Sequence, residues 1–193
     1  MTILTGRIQP HWNFFLAIEN DLEHISRFIE FDQRNFKCFS LEIVRVLMAA
    51  SAEVDIVCKQ ICKRLEPTHN PRSINSYREI ILKQYPMIKR FTVLLPKFGL
   101  TLHPWINWEK NSPPKWWTAN NKIKHERHLK FAEGNLKNML NSVAGLFVVV
   151  LYLYIDMAES GQLIPSTRMF RTDEMHFDQA VHNGHEFGIA YRL

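Results

Sequence analysis

The residues best equipped for chemistry lie in one stretch, Trp116-Trp117-Thr118-Ala119-Asn120-Asn121-Lys122-Ile123-Lys124-His125-Glu126-Arg127-His128. His125 is of the residue type best suited to pass protons as a general acid or base. Lys124 and Arg127 can hold a phosphate, the arginine with two-pronged geometry. Asn121 both donates and accepts hydrogen bonds, and so can orient His125 or a substrate. Trp117 offers a ring on which a base can stack, with Asn120 and His128 beside it as further contacts. Such a set is able to bind RNA. It also cuts RNA if an imidazole activates the 2′-hydroxyl while a cation stabilises the phosphorane. The plainer alternative is a structural helix whose Asn and His side chains fasten a neighbouring element.

Charge points the same way. The chain carries a formal net charge of +5. Between Lys110 and Lys130 lie Lys110, Lys115, Lys122, Lys124, Arg127 and Lys130 against Glu126 alone, so this segment holds the whole excess. A local basic patch favours an anionic partner, nucleic acid foremost, although a solvated helix face reads alike.

Placed on a helix of 3.6 residues per turn, Trp116, Ala119 and Ile123 form one line, with Asn120 and Arg127 at its margin. That line is the expected core contact. Trp117, Asn121, Lys124, His125, His128 and Leu129 fall on the other side. The His125 ring is therefore expected to face solvent, the C-terminal tail or a second subunit.

The elements that must hold this helix read as mainly α. Phe14, Phe15, Ile18, Leu22, Ile25 and Ile29 recur at steps of three and four, predicting a helix over 12–31 with Glu19 off its apolar face. Ser40 caps a second helix running to about Leu65, stopped by Pro67, with Ile43, Leu47, Val54, Val57, Ile61 and Leu65 inward. On this helix Asp55 has two readings: an ordinary pair with Lys59 one turn on, or a support that orients Arg127 from another helix. Ser73 opens a short helix that ends at Tyr85-Pro86. Residues 90–103 read as a small β-hairpin. Ser112-Pro113 is a helix start, and a long helix is expected over 136–157. The expected fold is all-α in the main: a single domain over 1–193, about five helices, and a less regular tail over about 160–193.

Val143 to Ile155 carries no charge but falls short of the ~20 residues a membrane span needs, and polar residues flank it. A buried core helix is expected, with no membrane partner. Cys38, Cys58 and Cys62 form no disulfide pattern, and Cys58 and Cys62 read as small buried residues. The first residues hold no cationic region followed by an apolar run, so a cytoplasmic location is expected. His182-x2-His185, with His176 nearby, has imidazoles within reach of each other, yet no carboxylate or cysteine completes a zinc pattern. No metal and no cofactor is expected. Gly-rich phosphate loops, G-x-S-x-G elbows and H-E-x-x-H are all missing.

The segment Asn120-Asn121-Lys122-Ile123-Lys124-His125, ahead of a long apolar helix, resembles the HEPN superfamily of helical-bundle proteins. Its members carry R-x(4–6)-H, often with Asn directly after the Arg. They are commonly metal-independent RNases of toxin–antitoxin and phage-defence systems, and act as dimers with the motifs facing each other. On this resemblance Asn121 takes the polar place and His125 the histidine place, while Asn120 stands where the family has Arg. The resemblance implies an RNA-binding protein, a homodimer and an endoribonuclease of bacterial defence or stress response, with His125 as acid/base and Arg127 and Lys124 on the phosphate. The alternative is a non-catalytic interaction module: an antitoxin, a toxin partner or a structural homodimer.

Overall fold

The computed structural model describes residues 8–176, 178–183 and 186–193. It is mainly helical, with six α-helices and five short strands among the described residues.

Helix α1 runs Pro10–Ile25 and buries Trp12, Phe15, Ile18, Leu22 and Ile25. It ends earlier than the periodicity predicts, at Ser26, whose hydroxyl donates to the Glu23 carbonyl. Trp12 takes the inward place expected of Phe14, which is exposed. Helix α2, Leu41–Leu65, begins at the foreseen cap, where Ser40 Oγ accepts from the Ile43 N–H. Helix α3, Ile74–Gln84, is capped reciprocally by Ser73 and Ser76.

The hairpin over 90–103 is present as β1 (Val93–Leu95) and β2 (Leu100–Leu102), turned by Gly99 at φ 60°. A third strand, β3 (Arg171–Thr172), returns from the tail to pair with β1, giving the order β2-β1-β3. The tail also folds as β4 (Asp178–Asn183) against β5 (Glu186–Tyr191), antiparallel, with Val181 opposite Gly188. Strand content thus exceeds the single hairpin expected, and the C-terminal region is more regular than its composition implies.

Helix α4 is Lys115–Lys130. It opens after Pro114 without a side-chain cap, and Ser112 Oγ bonds the Lys110 carbonyl instead. Helix α5, Leu136–Leu153, is capped by Asn135 and buries every residue from Ser142 to Tyr152. At roughly 1.5–3 kcal/mol per large apolar side chain, that burial makes α5 the main source of cohesion. The helix stops at Tyr154 (φ −107°, ψ 39°) rather than running on to Met157, and a short α6, Ile155–Glu159, follows. Arg64 closes the break, donating to the carbonyls of Leu153 at 2.7 Å and Tyr152 at 2.8 Å.

By length and composition α5 is the one helix among the described residues that can cross a membrane, and it lies inside the fold. It packs most extensively on α2, with α1 and α4 against both. Trp116, Ala119 and Ile123 are the buried residues of α4, as the helix projection predicts. Trp116 donates to the Pro104 carbonyl at 2.9 Å, and Trp105 donates to the Gly145 carbonyl, so three tryptophans, with Trp108, seat the start of α4 on α5.

Candidate nucleic-acid interface

Two adjoining grooves run between α2 and α4. The first, about 560 Å³, is lined by Asp55, Arg72, Trp117, Asn120, Asn121 and Lys124. The second, about 480 Å³, is lined by Met48, Ile123, Lys124, His125, Arg127 and His128. Met48 and Lys124 belong to both, so the walls are shared. All eight residues named from the sequence line this composite groove: Asn120, Asn121, Trp117, Lys124 and Asp55 in one part, and His125, Arg127 and His128, with Lys124 again, in the other.

A break in α4 creates the second part. Glu126 has φ −135° and ψ 41°, outside the helical region, and the helix continues on a changed axis. A straight helix would carry Arg127 back toward the buried Trp116 line. Beyond the break Arg127 and His128 are instead exposed and line the groove with His125. Neither glycine nor proline stands at Glu126, so nothing in the periodicity marks the kink.

The electrostatics are one-sided. Lys124, His125, Arg127 and His128 have no ion-pair or hydrogen-bond partner among the described residues, whereas Lys122 next to them is tied to Glu133 at 2.8 Å. Unpaired cations on a concave surface raise the local potential and attract polyanions.

Asp55 does not support Arg127. Its carboxylate pairs with Lys59 one turn along α2 and accepts from the Tyr77 hydroxyl at 2.8 Å. The reading in which Asp55 orients Arg127 is therefore replaced by the ordinary intrahelical pair. Intrahelical geometry delivers Lys59 to Asp55 one turn away, with no ordering of a second element. Burial, then the bond to Asp55, pushes the Tyr77 phenol well above its ordinary value, so it stays a neutral donor.

Sequence reasoning missed Met48, which floors both parts, and Arg72, which adds a cation from the loop before α3. Met48 reads as a core residue of α2 and Arg72 as a lone loop charge, and only the tertiary fold brings them to α4. Trp117 is half-buried against Trp116, with ring centroids 5.9 Å apart, leaving part of its surface in the groove.

Among the C-terminal histidines, His176 is buried, stacked on Phe91 with centroids 4.0 Å apart, and held by Asp173 at 3.2 Å. His182 sits edge-on to Phe187. His185 lies outside the described residues. No group of three His, Cys, Asp or Glu gathers among the described residues.

The groove can do two things chemically. Its cations can hold phosphates. Its imidazoles can take a proton from a 2′-hydroxyl and return one to a leaving oxygen. Compared with protein families, curated proteins and solved structures, the chain finds no match in any of the three.

Proposed function

We propose that this chain is a HEPN-like RNA-binding protein, acting in bacterial defence or stress response, that holds RNA in the groove between α2 and α4. The observation that carries the reading is the convergence of Lys124 and His125, before the kink at Glu126, with Arg127 and His128, after it, on one groove, all exposed and unpaired among the described residues. Lys124 and Arg127 hold phosphates, Trp117 stacks a base, and Asn120 and Asn121 hydrogen-bond the strand. His125 then acts as general base on the 2′-hydroxyl and His128 as the acid on the leaving oxygen, with no metal in the reaction. Two copies with these faces opposed would place the imidazoles on one strand.

The test is incubation of the pure protein with mixed single-stranded RNA in EDTA. Cleavage is expected, and His125→Ala should lower it by about 10²–10⁴-fold, the usual contribution of a general acid or base. Unchanged cleavage by His125→Ala overturns the catalytic assignment. Asn120, in the place of the family's Arg, favours a second reading, a non-catalytic interaction module. RNA bound but never cut removes the chemistry and keeps the binding. An absence of RNA binding even at low salt selects the interaction module, because phosphate contacts are strongest there.

A further inference from the structure

The opposite flank of α4 is basic as well. A cleft of about 680 Å³ lies between the start of α4, the turn at Ile106–Lys110 and the first turns of α5. Its size is that of a ligand pocket. Lys110, Lys115 and Lys137 line it, and no carboxylate does. None of the three has a carboxylate partner among the described residues. The acids nearest in sequence are taken elsewhere, Glu109 by Arg90 and Glu133 by Lys122. Lys115 is the first residue of α4, whose first turn holds no acid. The helix dipole disfavours a cation there, so local stability supplies no reason for it.

The remaining lining fits a nucleotide unit. Phe36 provides an aromatic face, with Lys137 Nζ 5.7 Å from its centroid. Gln33 and Asn107 bring side-chain amides without partners among the described residues. Cations beside an aromatic ring and free amides suit a phosphate-bearing nucleoside better than a bare carboxylate.

We infer that this cleft is a second contact for the same RNA strand, which crosses α4 from the α2 groove to the cleft. The inference rests on the RNA reading above. A helix is about 10–12 Å across with its side chains, a span a few nucleotides bridge.

The experiment is fluorescence anisotropy with a single-stranded RNA dodecamer over a range of salt. It compares wild type, Lys110→Gln/Lys115→Gln/Lys137→Gln, each single Lys→Gln variant, and Lys124→Gln/Arg127→Gln. The triple variant should bind about tenfold more weakly or worse. Its log K against log salt slope should lose about 2, from three contacts at ~0.7 each. Single variants should lose about a third of that each, which guards against a folding defect in the triple. Wild-type affinity and slope in the triple variant, with binding still lost in Lys124→Gln/Arg127→Gln, overturns this inference and leaves the α2 groove reading intact. Failure of the wild-type protein to bind the dodecamer removes both. A poly-glutamate dodecamer that competes with RNA at equal affinity and depends equally on the three lysines makes the cleft an acidic-peptide site and overturns the inference.

Discussion

At the scale of single residues, the three cysteines illustrate how burial sets reactivity. Cys38 is exposed while Cys58 and Cys62 are buried in the face of α2. Burial pushes both inner thiols up, Cys62 to about 12 with Glu66 adding to the effect, so the nucleophilic thiolate is suppressed. A disulfide reagent at pH 8 should modify one thiol of the native protein and all three in denaturant. More than one fast native thiol would mean that α2 is packed otherwise. Asp173 gives a pH prediction. Burial raises its pKa, but hydrogen bonds from Thr92 and His176 outweigh this and hold the carboxyl below its ordinary value of 3.8. A depressed folded pKa stabilises the native state fully above the unfolded value and loses that contribution as pH falls through the folded one. The melting-temperature difference between wild type and Asp173→Asn should therefore be constant near pH 5–6 and shrink below pH 4.

At the scale of elements, two joints hold the functional helix and the tail in place. Gly145 of α5 faces Trp116 of α4: a methyl added there would sit 2.9 Å from Trp116 Cζ2. Gly145→Val should cost about 1–3 kcal/mol by overpacking and push α4 outward, weakening RNA binding together with stability. Melting and anisotropy on the same preparation check this, and a loss of stability with RNA affinity intact would separate α4 from the groove. The second joint is Glu19, buried on α1. It accepts from the Thr167 hydroxyl and from the backbone N–H groups of Met169 at 2.9 Å and Arg168 at 3.1 Å. Glu19→Ala leaves those donors buried and unpaired, costing about 3 kcal/mol. That corresponds to a fall in melting temperature of roughly 6–12 °C for a chain of this length.

Both joints also mark what the sequence can and cannot tell. Glu19 falls off the apolar stripe on periodicity and is nonetheless buried, because its partners lie nearly 150 residues away. Helices α2 and α3 were legible from Ser40 and Ser73, since a capping hydroxyl acts within one turn. The tail hairpin was less so. Strand β5 also packs against α6, and that contact cannot be read locally. In the candidate site, the outward aim of His125 was legible from 3.6-residue geometry. The placement of Arg127 was not, since the geometry presumes a straight helix and the chain bends at Glu126.

At the scale of the molecule, stability and recognition sit in different places. Helix α5 and the faces of α1, α2 and α4 turned toward it hold the bulk of the apolar core, while Lys124 and Arg127 of α4 make no ion pair or hydrogen bond among the described residues. Hydrogen exchange turns this division into a measurement. Amides of α5 from Ser142 to Tyr152 lie among buried residues and should exchange only by global unfolding, the slowest class in the protein. Residues 126–130 follow a break in the helix ladder and have exposed side chains on both sides of it. They should exchange through local opening, orders of magnitude faster than α5. If the α2–α4 groove holds RNA, adding the dodecamer should slow 124–130 and leave 142–152 of α5 unchanged, because bound phosphates immobilise the segment without touching the core. Lys124→Gln/Arg127→Gln should then abolish the RNA-induced protection while leaving the melting temperature of the free protein within about 2 °C, as expected for exposed, unpaired charges. Protection spread evenly over the chain, or confined to the β4–β5 tail, would place the partner elsewhere on the molecule and detach the kink at Glu126 from recognition.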